Sequence, residues 1–316
     1  MDLLYLLRAG QGGYLSGSAL ARNYGLSRAA VWKHIEDLRA RGYVIEAKPR
    51  LGYRLLASPD ALTAEEVLPV LSTKSIGRYY HFFEELASTN DEAKRLGAAG
   101  APAGTLVVAE RQTEGRGRLG RTWTSPPGGL WLSLLLRPNL PLADLGPLTV
   151  LAAVALAKAL ARETGVKARI KWPNDLLVEQ HKIAGILAEA QGELGCANQV
   201  VLGLGLNVNQ ETADFPADIR ARATSLRSIL GHEMRRAPIL RAFLEVFEDL
   251  YEHGLIHGFR DVLAQAAANS ATLGHPVRIN GQSGVLKGLA VRLDPDGALV
   301  VRTATGDVRV MAGDIE

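Results

Sequence analysis

Between Glu114 and Gly129 the chain reads Glu-Gly-Arg-Gly-Arg-Leu-Gly-Arg-Thr-Trp-Thr-Ser-Pro-Pro-Gly-Gly, and no regular element can hold it. Glycine widens the backbone's choices and proline removes amide donors, so the segment must be a loop. Gly115, Gly117 and Gly120 satisfy the letter of G-x-G-x-x-G, the dinucleotide fingerprint. That fingerprint needs a helix directly after it and an acidic residue about 20 positions on. Thr122 to Gly129 cannot continue as a helix, and around Leu140 and Pro141 there is no carboxylate before Asp144. A Rossmann site is therefore rejected, and without a G-x-x-x-x-G-K-[ST] sequence so is a P-loop. What remains is an anion-binding loop, in which guanidinium forks grip phosphate or carboxylate oxygens in pairs while glycines let the backbone turn closely about a ligand. The plain alternative is a solvated basic loop.

The rest of the chain divides by pattern. Residues 1–56 hold nine Lys/Arg against four Asp/Glu, a net of +5 in a chain of net +3, so the remainder sums to −2. Such a bias fits a nucleic-acid-binding module on a near-neutral enzyme. Ser18 is expected to cap a helix to Tyr24, Gly25 to turn, and Ser27 to cap a second helix ending near Gly42, which is helix-turn-helix grammar. Val31, Ile35 and Leu38 should face inward, leaving Arg28, Ala29, Trp32 and Lys33 toward DNA. Tyr43 to Leu56 reads as two strands around a basic turn with Arg50, a wing. The alternative is a small helical domain for protein contacts.

With 47% hydrophobic residues, 316 residues suffice for two or three cores. Strand-like segments at 79–84, 105–110, 130–136, 168–172, 182–190 and 199–206 alternate irregularly with helical ones at 89–96, 145–163, 237–252 and 259–268. Strands adjacent without crossover helices imply a mixed sheet. After Ala271, short strands are punctuated by Asn280-Gly281, Asp296-Gly297 and Gly306-Asp307, all hairpin signals. The expected class is α+β: a winged helix-turn-helix at 1–62, a central mixed-sheet domain at 63–270 and a small all-β domain at 271–316. Cys196, the sole cysteine, excludes an internal disulfide. No basic leader precedes the first apolar run, and the tract Leu148 to Ala157 is too short to span a bilayer, so a cytoplasmic protein without membrane contact is expected.

Four further elements carry chemistry. In Ser88-Thr89-Asn90-Asp91-Glu92, Thr89 and Glu92 read as a capping box that opens a helix beside small polar side chains; plain capping is the alternative. Lys171-Trp172-Pro173-Asn174-Asp175 sets a cation, an aromatic, a rigid turn and a carboxylate at a strand end. Lys182-Ile183-Ala184-Gly185-Ile186-Leu187 places a lysine at the mouth of a core strand. Gly203-Leu204-Gly205-Leu206-Asn207 suits close packing against a flat ligand, or a strand bend. His253 and His257 are four apart, but Gly254 lies between them and no glutamate follows His253, so no zinc site is expected.

The loop G-R-G-R-x-G-R-x-W, then K-W-P-N-D, then K-x-A-G-I-L, in this order, resemble the biotin-protein ligases in the bifunctional form that doubles as biotin operon repressor. The resemblance covers the whole chain. It implies a central ligase domain, a C-terminal SH3-like β-barrel, biotin and ATP as substrates with Mg²⁺, a biotin carboxyl carrier protein as acceptor, operator DNA, and a homodimer when adenylate is bound. It assigns Ser88, Thr89, Asn90 and Gln112 to biotin's ring system, and Gly115, Arg116, Gly117 and Arg118 to biotin and adenylate. Lys182 matches the lysine that meets the biotin carboxylate and then the phosphate. Arg121, Trp123, Asn174 and Asn207 fall to the ATP side, with Trp123 as an apolar lid and Gly203 and Gly205 lining the pocket. Lys171 joins Arg116, Arg118 and Lys182 in screening charge, and Asp175 is the candidate to orient or deprotonate the acceptor amine. Gly129 stands where some members place an asparagine, so no polar contact is assigned there. A ligand-sensing repressor without catalysis and a lipoate-protein ligase remain open alternatives.

Overall fold

The computed structural model describes residues 3–10, 12–193, 195–281 and 284–315. The chain divides into two compact units, Met1–Ala61 and Leu62–Glu316.

In the first unit, α1 (Leu3–Ala9), α2 (Gly17–Tyr24) and α3 (Arg28–Ala40) precede a hairpin of β1 (Val44–Lys48) and β2 (Gly52–Ala57). Ser27 caps α3 as expected, its hydroxyl accepting from the Ala30 amide at 3.1 Å, and Gly25 closes α2 at φ 64, where glycine is unstrained. The start of α2 differs from expectation. Ser16 is its cap, accepting from the Ala19 amide at 3.1 Å, while Ser18 accepts from Arg28 at 2.6 Å. Val31, Ile35 and Leu38 do face inward, packing with Leu4, Leu7 and Leu20. Lys48 pairs with Gly52, so Pro49, Arg50 and Leu51 form the wing tip.

The second unit begins with α4 (Ala64–Val67) and then builds one sheet from β3 (Tyr80–Leu86), β4 (Leu106–Gln112), β5 (Leu130–Leu136), β6 (Arg169–Lys171), β7 (Asp175–Val178), β8 (His181–Glu193) and β9 (Cys196–Leu206). Their order is β3-β4-β5-β9-β8-β7-β6. β3 and β4 run parallel, joined through α5 (Thr89–Ala98), and the other neighbours are antiparallel, which makes the sheet mixed. Strand alternation sets its two faces: Val107 packs with Ala93 of α5, whereas Leu106 and Val108 join the large core with α6 (Gly146–Thr164) and α8 (Arg236–His257). α7 (Leu226–Leu230) and α9 (Arg260–Ala268) complete the helices. β5, covered on both faces, is buried at every residue, and its one polar side chain is Ser133.

The C-terminal strands β10 (Pro276–Gly281), β11 (Gly284–Leu293), β12 (Leu299–Thr303), β13 (Gly306–Val310) and β14 (Asp314–Ile315) form a second, wholly antiparallel sheet ordered β13-β12-β11-β10-β14. Two of the expected hairpin dipeptides fall differently. Gly281 pairs with Gly284, so Asn280-Gly281 ends a strand, and residues 282–283 lie outside the described residues. Gly306, at φ 128, pairs with Thr303, which moves that turn to Ala304-Thr305. Trp172 belongs to the core of this sheet with Val277, Ile279 and Leu299; its indole donates to the Gly297 carbonyl at 2.9 Å and its amide to the Thr272 hydroxyl at 3.0 Å. No helix of the described residues is long and apolar enough to cross a membrane.

Candidate functional site

A cleft of about 1080 Å³ in the second unit is lined by the central sheet, the Gly-Arg loop and the C-terminal sheet. It brings together Ser88, Thr89, Asn90, Gln112, Arg116, Gly117, Arg118, Arg121, Trp123, Lys171, Asn174, Asp175, Lys182, Gly203, Gly205 and Asn207.

One end of the cleft is a network of neutral hydrogen-bonding groups. Ser88, not Thr89, is the N-cap of α5, and the capping box does not form because both partners are engaged elsewhere. Thr89 donates from its amide and hydroxyl to Gln112 Oε1 at 2.8 and 3.0 Å, and Glu92 binds Arg95 at 2.6 Å. Gln112 Nε2 in turn donates to Ser125 at 2.9 Å. The Ser133 hydroxyl lies 2.8 Å from Thr89 Oγ1 and 2.6 Å from Asn90 Oδ1, so its single proton serves one at a time. Ser133 was missed in the sequence, where a polar residue inside an apolar run was the signal that could have found it. A Cβ on Gly203 would sit 3.0 Å from Asn90 Cγ, which is why the strand is bare there.

The loop folds back on itself. Gln112 bridges to Ser125 and Arg116 to Thr122, Gly117 N donates to Arg121 O at 2.7 Å, and Trp123 N to Gly115 O at 2.8 Å. Gly115 is absent from the cleft wall; a Cβ there would lie 2.7 Å from Ser125 Oγ, so its role in this structure is to let the two loop strands meet. The arginines expected to await an anion are held by protein oxygens instead. Arg116 pairs with Asp91, Arg121 with Asp314, and Arg118 donates to Asn174 Oδ1 at 3.1 Å and to Gly313 O at 3.4 Å. Carboxylate and carbonyl oxygens fill the same guanidinium fork that a phosphate would.

Further along, Lys182 Nζ lies 2.6 Å from Asp175 Oδ1, an ion pair, and 5.1 Å from the Trp123 ring centroid. Gly185 and Gly205, paired across β8 and β9, form the floor beneath that indole: a Cβ on either would lie 2.9 Å from Trp123 Cζ3 or 2.6 Å from Cε2. The flat group these glycines accept here is thus the chain's own tryptophan, which lies on the floor instead of standing over it as a lid. Its Nε1 is buried without an acceptor among the described residues. The Lys182 backbone is clasped by Arg222 O at 2.7 Å and the Thr224 amide at 2.9 Å, and Asn207 Nδ2 donates to Thr224 O at 2.9 Å. Arg222 therefore enters the cleft wall with no motif to mark it. Lys171 lines the cleft and has no ion-pair partner among the described residues. Trp172 does not line it.

The nucleic-acid candidates lie in the first unit. Arg28, Ala29, Trp32 and Lys33 are exposed on α3, and Arg50 is exposed at the wing tip. Trp32 is 57% exposed, which no core role explains.

A winged helix-turn-helix ahead of a mixed-sheet domain with a cation-lined cleft, closed by a small antiparallel sheet, defines a ligase with a DNA-binding arm. Residues 82–207 match the biotin/lipoate A/B protein ligase family, residues 1–54 an HTH domain, and residues 272–316 the biotin protein ligase C-terminal domain. The chain is 39% identical over 316 residues to the bifunctional ligase/repressor BirA of Bacillus subtilis, covering 100% of this chain and 97% of that protein. It is 32% identical over 315 residues to its namesake of Escherichia coli, covering 95% and 91%. The solved biotin protein ligase from Aquifex aeolicus in complex with biotin and ATP superposes with a TM-score of 0.66 at 30% identity, over 74% of this chain and 96% of that one. The chain belongs to the biotin protein ligase family.

Proposed function

We propose that the protein activates biotin with ATP to biotinyl-5'-AMP, transfers the biotinyl group to a lysine of a biotin carboxyl carrier protein, and represses transcription in a biotin-responsive way. The observation that supports this best is a single cleft whose wall passes from the neutral network of Thr89, Asn90 and Gln112 to the cations Lys182, Arg118 and Lys171. A ring of amide character suits the first part, and two approaching anions suit the second.

In the first step a biotin carboxylate oxygen attacks the α-phosphorus of ATP and pyrophosphate leaves. Carboxylate and triphosphate repel each other, and the positive charges of Lys182, Arg118 and Lys171 offset that repulsion and the charge growing on phosphorus. Lys182 must exchange Asp175 for the ligand anion to do so. Trp123 must rise from the glycine floor to cover a bound ligand. In the second step the acceptor amine attacks the acyl carbon and AMP leaves. A lysine of pKa about 10.4 is only roughly one part in a thousand neutral at pH 7.4, and Asp175, once Lys182 has turned away, is the group placed to orient it or take its proton. Among the described residues no three His, Cys, Asp or Glu side chains converge on a metal position. A magnesium ion brought in with the nucleotide would help to offset the phosphate charge beside Lys182 and Arg118.

ATP, labelled pyrophosphate and either biotin or lipoate separate the possibilities: exchange with biotin alone supports the reading, exchange with lipoate alone names the other substrate, and none leaves a ligand-sensing repressor. For the DNA arm, the exposed face of α3 and the wing support operator binding, and the family resemblance implies a dimer formed on the adenylate. Operator affinity at fixed salt should rise when biotin and ATP are present together and fall again when acceptor protein is added; deleting residues 1–61 should abolish it. A cytoplasmic location is part of the same reading.

A further inference from the structure

Arg116 stands apart from its neighbours on the loop because its charge is met at the helix that carries Ser88, Thr89 and Asn90. It pairs with Asp91 in the first turn of α5, and Glu189 Oε2 on β8 lies 3.9 Å away. Glu189 also takes hydrogen bonds from Lys94 Nζ and from Asn90 Nδ2, each at 2.7 Å, and Lys94 Nζ lies 3.8 Å from Asp91. Two cations and two carboxylates thus form a neutral square around the Asn90 amide. Burial pushes the Glu189 carboxyl up, but the bonds from Lys94 and Asn90 and the charges of Lys94 and Arg116 outweigh it and leave it below the ordinary carboxylate value.

We propose that Asp91 and Glu189 are positioning residues that latch the Gly-Arg loop through Arg116, and so set how long a ligand stays at the Thr89–Asn90 end of the cleft. Two observations converge on this. Arg116 bridges to Thr122 at the base of the loop tip, so its side chain reaches away from the tip while its backbone stays in the loop ladder. Glu189, the second carboxylate near Arg116, also accepts from the Asn90 amide, whose oxygen faces Ser133. Holding the loop and setting Asn90 therefore belong to one charge cluster, joined through Lys94, and a loop that lifts takes a cation away from both carboxylates. Arg116 acts on the protein, and the ligand anion falls to Arg118 and Lys182.

The proposal rests on the ligase reading only for what is retained, so two measurements are needed. In ligand-free full-length protein, trypsin cleavage after Arg118 and Arg121 reports loop opening whatever the enzyme's substrate. An exposed ion pair contributes up to about 1 kcal/mol, or roughly fivefold in such a rate. Asp91→Asn and Arg116→Gln should each speed cleavage by about that factor, the double variant should be no faster than the faster single one, and Asp91→Glu should return it to near wild type. In the second measurement, biotinyl-5'-AMP chased from the protein should leave about fivefold faster from Asp91→Asn, again restored by Asp91→Glu. Unchanged cleavage in Asp91→Asn, additive effects in the double variant, or no rescue by glutamate overturns the latch. If the cleavage results hold while no adenylate is made at all, the ligase reading fails and the latch stands.

Discussion

Replacing Lys182 by methionine keeps most of the side chain's stem and removes its charge. Two costs follow from the geometry. The Asp175 oxygen that faces Lys182 is closed to solvent. Stranding a buried oxyanion costs about 1–3 kcal/mol, and because the Lys182 side chain is 34% exposed and that of Asp175 21%, the loss of folding stability should lie near the lower bound, about 1 kcal/mol. The second cost falls on the reaction. A hydrogen bond to a charged partner contributes roughly 1.5–3 kcal/mol, so biotin-dependent pyrophosphate exchange should slow by about 10- to 150-fold. Urea unfolding reads the first cost and exchange the second. Adding Asp175→Asn should recover the stability, by removing the stranded charge, without recovering exchange. Exchange at the wild-type rate in Lys182→Met would refute the argument, and so would a double variant that regains exchange, since the lysine would then serve only to neutralise Asp175.

Arg118→Gly removes the loop's bonds to Asn174 and Gly313, so adenylate should form but escape early, and mass spectrometry should find biotin on bystander lysines at levels above wild type. Gly205→Ala puts a methyl 2.6 Å from Trp123 Cε2 and should cost about 1–3 kcal/mol by overpacking or drive the indole off the floor, either of which changes the urea midpoint or the tryptophan emission. Burial pushes the Glu248 carboxyl up, but the amides of Ile76, Ser75 and Lys74 outweigh this and hold it below its ordinary value. Its stabilising contribution is therefore full above the unfolded value of about 4.3 and is lost as pH falls through the lower folded value, so Glu248→Gln should flatten the acid limb of a stability-versus-pH curve.

Much of this fold is legible because local signals and packing agree. Val31, Ile35 and Leu38 recur at helical spacing and are buried together, and the apolar run of β5, interrupted only by Ser133, ends up as an inner strand. Errors gather where two residues offer the same chemistry a step apart: Ser16 or Ser18, Ser88 or Thr89, Gly306 or the pair before it. Each is decided by a tertiary partner, such as Arg28 for Ser18 or Gln112 for Thr89, that lies outside the local window. In the site, motif residues were found and their counter-charges were not. Asp91, Glu189 and Asp314 are ordinary acidic residues in sequence, and only the fold sets them against Arg116 and Arg121. Trp172 sits inside a motif that reads as chemistry, and only its burial assigns the indole to the core of the C-terminal sheet.

The burial of Trp172 in the far sheet sets a rule for shortening this protein. Residues 1–61 form a unit of their own, whereas residues 272–316 hold one end of a peg whose other end is the stretch carrying Lys171, Asn174 and Asp175. Cutting the tail would leave an indole without its pocket and Arg121 without Asp314, so the damage would surface as lost ligand affinity at a distance from the cut. A minimal ligase made from this chain must keep its back.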